Sequence, residues 1–383
     1  MRWSVMVGLF GLLLAACGGP EPADERMASG AGGKADDPGA QPTLSLLTFN
    51  AGLAEGAVAL AQQRRPYIID ALKKTTADVV CLQEVWTDDD ASAIQDALRG
   101  VYPYFFREKT TDTSKKSVPC GIWSTYQLDR CVKKECTPYG ISAEECVSNA
   151  CAERYDALSD ECKLCLAANT DSPTWCAIWP GAREYAWDGR NGLLLLSRRP
   201  ISQASYQAFD TVLVKRGMIT ATVDNTNVVC THLSSDLKTV PYPTDRRLKS
   251  WQEEQLEQVE TLRKAAPPSS CTVLMGDLNT GPNTETITAE AFQTWQQLTQ
   301  VAGFEEGWDQ RVCTWCVDNP LASGTTYQLD HIMLQSCLDV KARYVRVLDQ
   351  PLQVVEDGNI LETRLSDHYG LMAELVSTLP PVH

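Results

Sequence analysis

The chain has 383 residues, 44% of them hydrophobic and 22% charged, which is globular material sufficient for one large α/β domain or two smaller ones. A net charge of −15 argues against a broad basic face that grips nucleic acid, although an enzyme that only visits a phosphate backbone needs none. Fifteen cysteines less Cys17 leave fourteen, too many for a reduced cytosolic enzyme of this size without metal clusters, so an oxidising compartment is expected.

Arg2 precedes an apolar run from Val5 to Ala16, too short to span a bilayer as a helix, and Cys17 follows. Residues 1–17 read as a signal peptide, and the ending "LAAC" resembles the bacterial lipoprotein box, which implies a lipid on Cys17. Gly18 takes the place where an aspartate would favour inner-membrane retention, so an outer-membrane lipoprotein is expected. Residues 18–42 are rich in Gly, Ala, Pro and Asp and poor in large apolar side chains, the composition of a disordered tether.

Strand-like runs then recur through residues 43–378: "LSLLTF", "DVVCLQEV", "GLLLLSRRPI", "MITATV", "NVVCTHL", "CTVLMGDLN", "YQLDHIML" and "YGLMAELV". Continuous apolar runs of this kind fit strands buried on both faces. Tyr67 to Lys74 and Thr244 to Ala265 read as amphipathic helices, the second with Leu248, Trp251, Val259 and Leu262 on one face. An α/β layered fold follows.

About residues 110–187 the rhythm breaks. Eight cysteines (Cys120, Cys131, Cys136, Cys146, Cys151, Cys162, Cys165, Cys176) fall here without a histidine, so four local disulfides in an inserted helical subdomain are expected rather than zinc. Spacing does not choose among the pairings. Of the remaining six, Cys313 and Cys316 flank a turn and can bridge each other or Cys337, while Cys81, Cys230 and Cys271 lie in strand cores, where a free thiol is a small hydrophobe, and the sequence does not decide whether they pair.

Five strand runs end on residues that bind a divalent metal or a phosphate: Glu84; His232; Asp277 and Asn279; Asp330; Asp367 and His368. Such groups clustering at one edge of a sheet build sites. The chain has four histidines, and apart from the C-terminal His383 all of them (His232, His331, His368) fall in these motifs. Asn50 ends "LSLLTFN", a position strands disfavour.

The ordered motifs N…QEV…NG-L-SR-PI…THL…GDLN…LDHI…SDH resemble the endonuclease/exonuclease/phosphatase superfamily over about residues 43–376, the insert excepted. The resemblance implies a four-layered α/β/β/α sandwich of two mixed β-sheets, with the site at one end of the sheets. It also implies a Mg²⁺-dependent phosphodiesterase, with Mn²⁺ or Ca²⁺ as alternatives, and a monomer. A phosphodiester repels an incoming hydroxide, so its hydrolysis needs a cation to neutralise charge and a base to activate water. Glu84 offers the hard oxygen ligand Mg²⁺ prefers. By match to the family, Asn50 and Asp367 assist the metal, His368 is the general base with Asp330 as its partner, and His232 donates to the phosphate. Asp277 and Asn279, two apart on a strand, are expected to point the same way, and His331 to face away from Asp330 in a structural role.

The substrate is read from finer features. Deoxyribonucleases of this superfamily pair the first histidine with a glutamate where this chain has Asn191-Gly192. "RNGLLLLSRRPI", "CTHL", "GDLN" and especially "CTWCVDNPL" look more like neutral sphingomyelinases, and Arg216-Gly217 of this chain stands where those enzymes carry a Lys-Gly near the phosphate. Asn191 and Arg216 are therefore the substrate-binding candidates. The preferred substrate is a phospholipid headgroup, with a secreted endonuclease acting on nucleic acid as the alternative. A non-catalytic binding protein using the Cys-rich insert is the third reading.

Overall fold

A computed structural model describes residues 42–136, 143–169, 173–178, 181–266, 271–306, 312–322, 324–338, 340–356 and 358–377. The expected signal peptide, Cys17 and most of the expected tether lie outside the described residues. Among the described residues no helix is long and apolar enough to cross a membrane.

In chain order the elements are β1 (Pro42–Asn50), α1 (Ala61–Lys74), β2 (Val79–Gln83), α2 (Asp88–Leu98), β3 (Tyr104–Phe106), α3 (Ile122–Glu135), α4 (Ala143–Ala150), α5 (Ala152–Asp156) and α6 (Asp160–Ala168). There follow β4 (Leu194–Ser197), β5 (Ser202–Ala208), β6 (Gly217–Val223), β7 (Thr226–His232), α7 (Trp251–Ala265), β8 (Thr272–Asp277) and α8 (Phe292–Gln296). The last are β9 (Asp330–Gln335), β10 (Val340–Val347), β11 (Leu352–Glu356), β12 (Asn359–Thr363) and β13 (Gly370–Ser377).

Two sheets form, in strand orders β10-β13-β1-β2-β4-β3 and β5-β6-β7-β8-β9, with β11-β12 as a separate hairpin. Each large sheet is mixed: β1 runs parallel to β2 and β7 parallel to β8, whereas the other pairs are antiparallel. Side-chain alternation explains the unbroken apolar runs. Leu44, Leu46, Val79, Cys81, Leu195, Ile219, Cys230, Val273 and Ile332 fill the layer between the sheets. Their neighbours Leu47, Phe49, Val80, Leu82, Leu194 and Leu196 face outward with Ile68 and Leu72 of α1 and Ile94 of α2. On the other side Met218, Val229, Leu274 and Met333 pack with Val259 and Leu262 of α7. This is the four-layered α/β/β/α sandwich.

Both expected helices differ at their starts. The second begins at Trp251 rather than Thr244, because Ser250 accepts from Glu253 N and caps it; Leu248 precedes the helix. The signal was present as S-x-x-E. The first runs from Ala61 through Pro66, six residues before the expected Tyr67.

Within the insert, Cys120–Cys162, Cys131–Cys151, Cys136–Cys146 and Cys165–Cys176 close four local loops around a small core with Leu128, Tyr155 and Leu158. Outside it the structure supplies the pairing that the sequence left open. Cys81 of β2 pairs with Cys230 of β7, joining the two sheets across 149 positions of sequence, and Cys271 pairs with Cys337. Facing strands in a sandwich bring inner-face cysteines together however far apart they lie in the chain. Cys313–Cys316 closes its own turn.

Candidate active site

The register of the second sheet lines up its polar strand ends. His232 pairs with Gly217 on β6 and with Asp277 on β8, and Asp277 pairs with Asp330 on β9. Directly opposed residues present their side chains to the same face, so His232, Asp277 and Asp330 form a row. In the first sheet Asn50 pairs with Gln83, whose successor is Glu84, and Asp367-His368 lies just before β13, next to the end of β1. The two rows meet between the sheets.

Asp277 is the junction. Its Oδ2 accepts from Asn50 Nδ2 at 2.9 Å and lies 3.2 Å from His232 Nε2 and 3.8 Å from His368 Nε2. Burial works against its charge, but both imidazoles and the Asn50 amide outweigh it and hold this carboxyl well below the usual carboxylate range. Asn279 reaches His232 Nε2 at 3.2 Å, though not by strand alternation. It lies past the end of β8 at φ 47°, with its N–H donating to Asp277 Oδ1 at 3.0 Å, so a side-chain turn brings the pair together.

His368 Nδ1 sits 2.7 Å from Asp330 Oδ2. Burial alone would lower the imidazole's pKa, but the carboxylates of Asp330 and Asp277, facing its two ring nitrogens, raise it well above the usual histidine value. The Trp315 ring meets His368 edge-on at 5.1 Å, and Thr314 Oγ1 accepts from both Leu329 N and Asp330 N. Asn319 Nδ2 donates to the carbonyls of Ser366 and Asp367 at 2.8 and 3.0 Å. The segment "CTWCVDNPL" is therefore the brace of the Asp330–His368 couple.

His232 has a defined tautomer. Arg216 Nη1 lies 2.7 Å from its Nδ1, and a guanidinium only donates, so Nδ1 is the bare nitrogen and Nε2 carries the proton toward Asp277. Burial and the Arg216 charge hold its pKa down to about 4. This ring is neutral at pH 7 and serves as a hydrogen-bond donor, not as an imidazolium acid. Arg216 thus occupies the His232 flank, its Cζ 5.6 Å from the Trp86 ring, and Trp86 stacks on Trp187 at 4.3 Å. A side chain on Gly192 (φ +70°) would strike that ring, with its Cβ 2.8 Å away. Asn191 is turned elsewhere: Oδ1 accepts from Leu193 N at 2.9 Å and Nδ2 reaches Glu108 O at 3.4 Å. Its contacts are backbone bracing, because an Asn before a strand readily closes a local side-chain turn.

Glu84 follows β2 at φ 59°. Burial and then the charge of Asp367 push its pKa up to about 7. Gly52, at φ +54°, is what lets Asp367 approach β1, since a Cβ there would lie 2.5 Å from Asp367 Oδ1. Asn50 Oδ1 accepts from Gly52 N at 3.0 Å, so Asn50 both makes the turn and holds Asp277. Beneath them the buried Arg64 donates to the carbonyls of Ala51, Gly52 and Leu365 at 3.3, 2.5 and 2.6 Å, tying the β1 end to the Asp367 loop. Sequence reasoning missed Arg64, because "QQRRPY" reads as a solvated helix face.

The donor set fits a hard divalent cation. Glu84, Asp367 and Asn50 supply carboxylate and amide oxygens without thiolate, and the raised pKa of Glu84 marks a carboxylate that is buried and also crowded by the charge of Asp367, both of which a cation would relieve. Asp277, Asp330 and His368 also bring ligand atoms within 4.8 Å of one another. In that trio His368 Nδ1 and Asp330 Oδ2 are already committed to each other, so Glu84 is the better anchor. His331, as expected, points away from Asp330, with Nδ1 at 2.5 Å from Glu306 Oε1 and Nε2 at 2.8 Å from Thr280 O.

Three solved structures resemble the chain at identities that establish the fold alone. SmcL is 13% identical with a TM-score of 0.53, over 89% of this chain and 100% of that one. Sphingomyelinase C from Streptomyces griseocarneus is 16% identical with a TM-score of 0.50, over 87% and 99%. A mutant of beta toxin from Staphylococcus aureus, whose structure holds bound magnesium ions, is 14% identical with a TM-score of 0.51, over 86% and 99%. No curated protein sequence matches the chain. The model of the Endonuclease/Exonuclease/phosphatase family matches residues 47–368, most of the sequence and every motif from "TFN" to "SDH", and the chain belongs to that family of phosphoric ester hydrolases.

Proposed function

We infer that the protein is a Mg²⁺-dependent phosphodiesterase acting on a phospholipid of the sphingomyelin type, exported as a lipoprotein through Cys17. The observation that carries the hydrolytic part is the two-sided cluster. Asn50, Glu84, Asp367 and His368 from one sheet face His232, Asp277, Asn279 and Asp330 from the other. Glu84, with Asn50 and Asp367, would hold a divalent cation, which would supply positive charge to the phosphate and acidity to water. His368 accepts the proton of the attacking water at Nε2, while Asp330 holds the opposite nitrogen and stabilises the imidazolium. Asp277 accepts the His232 Nε2–H and orients that water between the rings, and the amide of Asn279 beside His232 offers an N–H to a phosphoryl oxygen.

Four observations favour a phospholipid over nucleic acid. His232 pairs with Arg216 where deoxyribonucleases use a glutamate, and the "CTWCVDNPL" brace is a sphingomyelinase-like feature. Sphingomyelinase C is among the similar structures, and the net charge of −15 repels a polyanion. The test is a paired assay with sphingomyelin vesicles and plasmid DNA, each with Mg²⁺ or EDTA. Mg²⁺-dependent release of phosphocholine is the expected result; DNA nicking without it moves the assignment to the endonuclease alternative.

A further inference from the structure

The Cys-rich insert carries an apolar surface that hydrolysis does not use. On α3, Ile122, Trp123 and Tyr126 are 72%, 68% and 48% exposed, while Thr125 and Leu128 on the opposite side are buried. Helical spacing of three and four residues puts the exposed set, and then Arg130 and Lys133, on one face. Trp175 and the 59% exposed Ile178 adjoin it, because Cys120 N, just before α3, donates to Cys176 O at 3.1 Å. The disulfides staple the segments that carry these side chains, so the patch is rigid and adds little ordering cost on binding.

Two features identify the occupant. The exposed residues are dominated by tryptophan and tyrosine, whose rings favour the boundary between acyl chains and headgroups. Cations rim the apolar centre, with Arg130 Cζ 5.9 Å from the Tyr126 ring and Arg183 Cζ 4.8 Å from the Trp175 ring. In a chain of net charge −15, an apolar patch edged by arginines complements a layer of lipid phosphates. The insert also abuts the site. Trp187 stacks on Trp86 beside Arg216, Ala186 N donates to Leu213 O at 2.8 Å, and Tyr155 OH donates to Thr239 O at 3.1 Å.

We propose that the Ile122-Trp123-Tyr126-Ile178 surface of the insert docks on a phospholipid bilayer and delivers the headgroup layer to the neighbouring site. The proposal rests on the phospholipid reading and deepens it. Its test is flotation with vesicles of phosphatidylcholine, with and without phosphatidylglycerol. The protein is the chain from residue 17 onward, which keeps every described residue, with Cys17→Ala so that no lipid is attached. Wild type floats with both vesicles, and more with the anionic ones. Ile122→Ser/Trp123→Ser/Ile178→Ser lowers partitioning about tenfold or more, because three exposed side chains lose their apolar burial, while turnover of soluble bis(4-nitrophenyl) phosphate stays at the wild-type level. Arg130→Gln lowers partitioning to the anionic vesicles alone, by about fivefold. Docking is overturned if wild type does not float, which hands the patch to a protein partner, or if the triple variant floats as wild type does. Flotation on these vesicles together with no cleavage of sphingomyelin in the paired assay leaves docking standing and removes the phospholipid substrate.

Discussion

Arg216 Nη1 meets His232 Nδ1 at 2.7 Å inside the protein, so a permanent cation fixes which nitrogen of a buried imidazole carries the proton. Replacing Arg216 with Met leaves that nitrogen unpaired and removes the charge that, together with the larger effect of burial, holds the ring's pKa down to about 4. We expect kcat/KM on a small soluble phosphodiester to fall about 10- to 100-fold, and the His232 titration, followed by NMR, to move upward. Arg216→Lys keeps the charge but not the fork, and should recover only part of the loss.

The Asp330–His368 couple sets the pH dependence. A base must be unprotonated to act, and His368 in the metal-free protein holds its proton above the usual histidine pKa, so the rate rises with pH through that raised value. Asp330→Asn removes the carboxylate that raises it, moving the acidic limb of the profile to lower pH. Maximal rate should also drop about 10²- to 10⁴-fold as the ring loses its orientation. A profile unmoved by the substitution would contradict the pairing.

Metal affinity should depend on pH through Glu84. Its pKa of about 7 lies above the ordinary carboxylate value, and only the ionised form binds a cation. Calorimetric titration with Mg²⁺ is expected to give a plateau above pH 7. Below it, affinity declines by up to about tenfold per pH unit.

The Cys81–Cys230 bridge closes a loop across 149 positions, with Glu84 three residues beyond one end and His232 two beyond the other. Cys81→Ala/Cys230→Ala should cost up to about 5 kcal/mol in chemical denaturation, the chain-entropy value for such a loop. Activity should fall more than stability alone explains, since the bridge spans the gap between the two halves of the site.

What could be read in advance follows from range. β1, β2, β4 and β6–β9 announce themselves as apolar runs because both faces are buried, and β13 does so in large part. β5 ("SQASYQA") is largely exposed and β10–β12 are partly so, so their sequences carry the polar mixture of a surface and give no such signal. The site residues were legible as residue types at strand ends. Their bracing was not: Arg64 reaches Leu365 across 301 positions, and the Cys81–Cys230 bridge depends on how two sheets stack. Asn191 shows the converse, a motif position whose side chain is spent on the neighbouring backbone.

The most direct test is the initial rate of bis(4-nitrophenyl) phosphate hydrolysis, measured as Mg²⁺ is titrated into wild type and Glu84→Gln. The substitution keeps the shape of the side chain and removes the carboxylate charge that anchors the cation. Saturable activation of wild type, abolished by EDTA, with at least about 10³-fold less activity for a folded Glu84→Gln is the predicted result. Equal activation of both proteins would contradict it.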